Sequence, residues 1–390
     1  MYLCRMFIER HISDTVLQHS QWYSILYLGG PRQSGKTTLL RQLFPQLPYV
    51  SLEDPDLQLL AMDDPRRFLQ SFTGGAIFDE AQRVPALFSY LQTKVDADKS
   101  LRFVLSGSQN FLLMEKISQS LAGRVGILNL LPLSFSEIQA TGAAVELDKL
   151  AWRGGYPILY DSTVPQTVFF NNYLQTYLER DVRTLKNVGD LSLFVRFMRL
   201  CAGRIGQPLN LSNLATDAGV AVNTVKAWVS VLEASYILFL LPPYHDNFNK
   251  RLTKSPKMYF FDTGLVCYLL GISDSGQLDT HHYYGHIFEN YLIAELYKKR
   301  TNLGKRPAFW FWRDHKGNEI DLLIEEDGQT KAVEIKSSQT FNPRLLAGLI
   351  TWQKMSGYTP ARQYLVYAGQ QNMALAVGQL LPWQIALETL

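Results

Sequence analysis

Between Ile25 and about Ile138 the apolar residues fall into short runs, ILYL, YVSL, AIFD, LRFVLS and VGILNLLPL, separated by polar stretches with helical spacing. Short apolar strands alternating with helices predict a parallel sheet covered on its faces. Ahead of them, residues 1–22 predict a helix or an extended arm. TGAAVELDKL, within 140–150, marks a boundary. Beyond it, TVFFNNYLQTYLERDVRTL and LSLFVRFMRLCAGRI space their apolar residues three and four apart, the helical period. Residues 209–261 predict short helices followed by a hairpin. From about 280 the pattern is helix, strand, hairpin and further helix, and no internal repeat or low-complexity segment interrupts it.

Composition changes this picture little. The 390 residues are 47% hydrophobic and 19% charged, enough core-forming material for two or three domains. The net charge of +3 confines any nucleic-acid footprint to a local patch. Three scattered cysteines, Cys4, Cys201 and Cys267, have no metal-ligand spacing and predict reduced thiols in a cytoplasmic protein. The opening MYLCRMFIERH does not resemble a signal peptide, and the longest apolar runs fall far short of a membrane span, so no membrane partner is expected.

The chemistry begins at GPRQSGKT, residues 30–37, which fits the phosphate-binding pattern G-x-x-x-x-G-K-[ST]. It follows a strand and opens a helix, so the backbone N–H groups of Gly30, Pro31 excepted, through Arg32, Gln33, Ser34 and Gly35 turn towards phosphate oxygens at a helix N-terminus extending through Thr38. Lys36 is expected on the β and γ phosphates of ATP and the Thr37 hydroxyl on Mg²⁺. In GGAIFDEAQ an apolar strand ends in Asp79, expected to support the metal, and Glu80, expected to polarise the attacking water. Ser106 or Ser108, after LRFVL, suits a γ-phosphate sensor or a plain Ser-Gly turn. Arg124 suits an arginine finger acting on a neighbouring subunit of a homo-oligomer, or an ordinary salt-bridged arginine.

These motifs, with FVLSGSQNFLL and LAGRVGILNLLPLSFSEI in order, resemble the AAA-type ATPase module of a group of bacterial and archaeal proteins that carry a C-terminal domain of unknown function. The runs YLQTYLERDV, KMYFFDTGLVCYLL, FENYLIAEL and GNEIDLLIE…VEIKSS resemble that domain, so the likeness spans roughly 24–340. It implies an ATPase, a winged-helix segment and a nuclease-like module. The expected class is α/β: an AAA-type P-loop domain over 1–145, a helical and winged-helix segment over 146–270, and a PD-(D/E)xK-like domain over 271–390.

In the middle segment Leu211, Leu214, Ala215 and Ala218 form one apolar stripe and Val222, Val225, Val229 and Leu232 the next, with Gly219 turning the chain and Asn223 as N-cap. Lys250, Arg251, Lys254 and Lys257 on the wing would touch phosphates, yet the second helix offers only Lys226, which argues against reading base sequence.

In the C-terminal unit Asp327-Gly328 predicts a hairpin that sets Asp321 opposite Glu334, with Lys336 on the same face and Val333 and Ile335 turned to a core. Opposed carboxylates repel, and a Mg²⁺ between them would relieve it. Glu289 shares a helical stripe with Leu292, Ile293 and Leu296 and points inward. Glu289, Asp321, Glu334 and Lys336 thus resemble the PD-(D/E)xK core, with Lys336 as the catalytic lysine. Basic residues from Lys298 to Lys316 interleave with Phe309, Trp310, Phe311 and Trp312, a composition suited to DNA without sequence preference. The expectation is an ATPase whose nucleotide state controls nucleic-acid engagement by this module. The alternative is an ATP-dependent switch or scaffold whose inert module binds a protein.

Overall fold

The computed structural model describes residues 7–108, 121, 123–143, 145–178, 190–244, 255–357 and 359–390. The five apolar runs form β1 (Ile25–Gly29), β2 (Tyr49–Ser51), β3 (Gly75–Asp79), β4 (Arg102–Gly107) and β5 (Val125–Asn129). They make one sheet in the order β2-β3-β4-β1-β5, with every neighbouring pair parallel. β1 and β3 are buried along their whole length because helices cover both faces. One face packs around Phe68, Phe78, Leu91 and Phe103, the other around Leu28, Leu39, Leu40 and Val104. A parallel sheet brings all strand C-termini to one edge, and there the loop after β1, Asp79 at the end of β3 and Ser106 near the end of β4 converge.

Residues 1–22 supply a helix, α1 (Ser13–Trp22), preceded by the buried Arg10. The P-loop leads into α2 (Lys36–Leu43). In the middle come helices Leu191–Ala202, Leu211–Ala218 and Val222–Ala234, then an antiparallel pair, β6 (Leu238–Leu241) and β7 (Lys257–Phe260). Gly219 ends the second of these helices in the left-handed region, a role that glycine fills without steric cost. Two details correct the sequence reading. The third helix is capped at Ala221, so Asn223 lies inside its first turn, and Val222 is exposed rather than part of the buried stripe. Lys250, Arg251 and Lys254 lie outside the described residues.

After the long helix Tyr284–Asn302 come β8 (Phe309–Arg313), β9 (Glu319–Glu326), β10 (Gln329–Lys336), β11 (Gln363–Tyr367), β12 (Met373–Leu375) and β13 (Gly378–Pro382). They form one mixed sheet, β12-β13-β11-β10-β9-β8. Asp327 and Gly328 both have positive φ, 52° and 70°, as a two-residue hairpin turn requires. The register follows the sequence reading, with Gln329 opposite Glu326 and Val333 opposite Leu322. Val333 and Ile335 face a core, as expected. The residues after 340 supply three of the six strands, where the sequence pattern predicts further helix.

The middle and C-terminal segments share their interior. One cluster of buried side chains runs from Leu131 to Leu390, and Phe239 of β6 packs on Tyr297 of the long helix at 4.8 Å between ring centres. Burying each such large apolar side chain contributes about 1.5–3 kcal/mol. The two segments therefore stabilise each other through this shared cluster, while the other face of the C-terminal sheet packs around Trp312, Leu349 and Trp352. Among the described residues no helix is long and apolar enough to cross a membrane.

Candidate functional site

At the sheet edge Gly35 adopts φ 95° as the residue before α2, a left-handed turn that opens the helix N-terminus towards the loop. Gln33 also has positive φ, 61°. The Lys36 ammonium donates to the carbonyls of Gly30 and Pro31 at 2.9 and 2.8 Å, staying within the loop. Thr37 Oγ1 donates to Asp79 Oδ2 at 2.7 Å, which joins the two motifs that sequence had paired from a distance. Thr38 is exposed on the outer side of the helix.

Asp79 is the hub. Its Oδ2 also accepts from the Tyr49 hydroxyl at 2.7 Å, and its Oδ1 accepts from Ser106 Oγ and from the Glu80 N–H. Burial alone would raise this carboxyl. The hydrogen bonds from Ser106, Thr37 and Tyr49, with Lys36 nearby, outweigh it and hold the group below the usual aspartate value. An ionised, oriented carboxylate beside a threonine hydroxyl is the donor set that suits Mg²⁺. Ser106 thus braces Asp79, and Ser108, 3.4 Å from Glu80 Oε2, is the serine that faces the second acid. Glu80 sits at φ 54°, with Gln82 Nε2 bonded to its Oε2. A non-glycine residue held in that region stores strain, which structures tolerate mainly at working sites.

Arg124 precedes β5, at the sheet end opposite the P-loop, because Val125 pairs with Ile25 while Asn129 pairs with Gly29. Its guanidinium holds Asp96 at 2.8 Å. It cannot reach the phosphates of its own chain from there.

The C-terminal cluster departs from expectation in what its lysines do. Lys336 Nζ stands between the carboxylates, 3.2 Å from Asp321 Oδ2 and 3.0 Å from Glu334 Oε1. Asp321 Oδ2 also accepts from the Ile335 N–H at 2.8 Å. Glu289 is bound to Lys257 at 3.1 Å and to the Tyr259 hydroxyl, and Lys257 bridges on to Glu319. Burial and the Asp321 charge push Glu334 up to about 8, while burial pushes Glu289 up to about 6 against the opposing pull of Lys257. Burial acts on Asp321 in the same direction, but Lys336 and Lys257 outweigh it and lower the group.

The three carboxylates expected to share a metal are therefore divided between two ammonium groups. Among the described residues no three His, Cys, Asp or Glu side chains are gathered to hold a metal ion. Glu289 is held by Lys257 and Tyr259 of β7, whereas Lys336 occupies the space between Asp321 and Glu334. As arranged, the set does not fit the expected divalent cation.

Two further readings are corrected. Lys257 is 1% exposed, a buried counter-ion rather than a phosphate contact on a wing. The start of the basic stretch is consumed by structure, while Lys305, Arg306 and Lys316 are exposed: Lys298 binds Glu295 at 2.7 Å and the Leu133 carbonyl, Lys299 binds the carbonyls of Leu387 and Glu388, and Arg300 binds Glu326. Phe309, Phe311 and Trp312 are buried core, not stacking surfaces.

Comparison with known proteins agrees with the N-terminal geometry. Residues 23–139 match the family model of an AAA domain. Residues 144–276 and 284–386 match two domains of unknown function, DUF8612 and DUF4143. The uncharacterized protein Rv2008c of Mycobacterium tuberculosis is 30% identical over 378 residues, covering 95% of this chain and 82% of that one, and Mb2031c of Mycobacterium bovis matches equally. The chain belongs to this family. An uncharacterized protein of Haemophilus influenzae is 22% identical over 367 residues, covering 85% of this chain and 86% of its own length. Among solved structures, the Walker-type ATPase PABY2304 of Pyrococcus abyssi covers 67% of this chain and 96% of its own, at 14% identity and a TM-score of 0.46.

Within this AAA-domain chain, sequence reasoning missed four residues that the site uses. Tyr49 and Gln82 hold Asp79 and Glu80. Arg10 and Glu137 form a buried pair at 3.1 Å, from which Arg10 reaches the Ser34 carbonyl at 2.7 Å and the Leu131 carbonyl at 2.7 Å. Gln82 lay in the quoted DEAQ, and the capping-box pattern S-x-x-E at Ser134–Glu137 was legible. Nothing local marked Arg10 or Tyr49.

Proposed function

We propose that this AAA-domain protein is a Mg²⁺-dependent ATPase whose nucleotide state is read by the shared middle and C-terminal body. The observation that carries the reading is the Thr37–Asp79–Ser106 network, which joins the P-loop, the acidic strand end and the strand between them. Lys36 would bind the β and γ phosphates of ATP, and Thr37 with Asp79 would hold Mg²⁺, which supplies charge neutralisation along the phosphates. Glu80 would take the proton of the attacking water, its carboxylate steered by Gln82 and Ser108. Arg124 could contribute to transition-state charge only in a neighbouring copy, so that role entails a homo-oligomer.

For the C-terminal unit we favour the scaffold reading: a nuclease-like module whose acids are neutralised internally by Lys257 and Lys336 and which engages a protein partner. The other reading, non-sequence-specific engagement of DNA by that module and a winged-helix segment, is supported by one feature: Glu334 Oε2 is buried without a partner. One experiment separates them. ATP hydrolysis is measured in Mg²⁺ for the full chain and for Lys36→Ala, and linear, circular and single-stranded DNA are incubated in Mg²⁺ or Mn²⁺ beside Asp321→Ala/Lys336→Ala. The scaffold reading expects hydrolysis that Lys36→Ala abolishes, and no cutting. Cleavage that disappears in the double variant would reject it in favour of a nuclease, and hydrolysis insensitive to Lys36→Ala would sink the ATPase assignment.

A further inference from the structure

Four non-glycine residues among those described have positive φ: Gln33 and Glu80 at the nucleotide site, Asp327 in the hairpin turn, and Tyr236 at φ 56°. Tyr236 lies between the helix Val222–Ala234 and β6, far along the chain from the P-loop. An aromatic residue seldom occupies this region, so the surrounding structure must hold it there. What it gains is the position of its hydroxyl. Tyr236 Oη donates to Asn129 Oδ1 at the end of β5 at 2.9 Å and is hydrogen-bonded to Tyr27 of β1.

The same hydroxyl presses on the backbone of Gly29, the residue immediately before the P-loop. A Cβ at Gly29 would lie well inside van der Waals contact with it and 2.9 Å from Asn129 Oδ1, so only glycine admits this approach. Tyr27 extends the chain of contacts, its hydroxyl 3.5 Å from the Gly107 carbonyl at the end of β4, next to Ser106 and Ser108. Both phenols are almost completely buried, and Asn129 links them to the edge strand. A rigid, strained residue of the middle segment therefore touches the root of the phosphate-binding loop and, through one phenol, the strand end that braces Asp79 and faces Glu80.

We propose that Tyr236 is the positioning residue through which the middle segment senses the nucleotide-bound P-loop, its hydroxyl bracing Gly29 and Asn129. This rests on the ATPase reading above and names how that site is coupled to the rest of the chain. Movement of the loop root on phosphate binding displaces the hydroxyl, and a left-handed tyrosine at a helix-to-strand turn passes the displacement to β6. The coupling is contiguous contact between packed groups rather than action at a distance.

The test is amide hydrogen exchange on the full-length chain, with and without a β,γ-imido ATP analogue and Mg²⁺, in wild type, Tyr236→Phe and Asn129→Leu. Tyr236→Phe keeps the ring and deletes only the hydroxyl; Asn129→Leu removes its acceptor instead. In wild type, nucleotide should slow exchange at 30–37 and also change exchange at 236–241. Both variants should keep the P-loop response and lose at least two-thirds of the change at 236–241. The kcat should fall about three- to tenfold, as loss of one or two hydrogen bonds predicts, with KM for ATP altered less than twofold. A response at 236–241 unaltered in both variants overturns the proposal, as does its absence in wild type when the P-loop is protected. No protection of 30–37 in wild type overturns the ATPase reading and the proposal with it.

Discussion

Lys257→Met tests the buried charge cluster directly. The methionine stem fills nearly the volume of the lysine stem, so the perturbation is loss of the ammonium. That ammonium is 1% exposed, paired with Glu289 at 3.1 Å and with Glu319, and 5.4 Å from the centre of the Phe311 ring. Removing one partner of a buried pair leaves an uncompensated charge and costs about 3–5 kcal/mol. For a chain this long that corresponds to a fall in Tm of roughly 5–10 °C in the transition of the shared middle and C-terminal core.

The deficit should also depend on pH. Glu289 has Lys257, Tyr259, Asp321, Glu319 and His286 as its titratable neighbours. Burial sets its folded pKa at about 6 even with Lys257 in place, above its ordinary value. The folded state then binds the proton more readily than the unfolded chain, so stability falls as pH rises through that interval. Without the ammonium the folded value rises further and the interval widens upward. Scanning calorimetry at pH 5 and pH 8 should show a larger deficit at pH 8, and added Mg²⁺ should not restore it. A deficit under about 1 kcal/mol, or one equal at both pH values, would refute the burial argument.

Three other outcomes follow from the same geometry. Glu80→Gln should lower kcat for ATP by about 10²–10⁴-fold with KM nearly unchanged, a drop below tenfold ruling out Glu80 as the base. Arg10→Met strands the buried Glu137 and frees the Ser34 carbonyl; the N-terminal domain should lose about 3–5 kcal/mol in denaturant titration, and no loss would show the pair to be incidental. Lys298→Met/Arg300→Met should lower Tm but leave both DNA affinity and its salt slope unchanged in anisotropy titrations, whereas a reduced slope would mean that these cations do reach phosphates.

The legible parts of this protein are those whose physics is local. An apolar run bounded by polar turns is a strand wherever it is placed, so all five strands of the N-terminal sheet could be read. The hairpin register was fixed by Asp327-Gly328 together with the alternation of Val333 and Ile335. The P-loop is a contiguous backbone device, and its pattern with Asp79 and Glu80 marked the candidate nucleotide site. Side-chain partnerships across the chain were not legible. Lys257 reads as a solvent-facing wing residue in its own stretch, and only the packing of β7 against the long helix turns it into a buried counter-ion. Likewise Lys298, Lys299 and Arg300 look like a basic patch until the Leu133 carbonyl, the chain's last residues and Glu326 arrive beside them.

The sequence alone determined the α/β class, the phosphate-binding loop and the paired carboxylates, because each rests on neighbours within a few residues. Only the tertiary structure decided that Glu289 is held by Lys257 and Tyr259, that Arg10 reaches the phosphate-binding loop, and that Tyr236 approaches the glycine before it. Those contacts join positions from 24 residues apart, as for Arg10 and Ser34, to more than a hundred, as for Tyr236 and Asn129. Their existence depends on how packed layers align, which no local pattern of residues encodes.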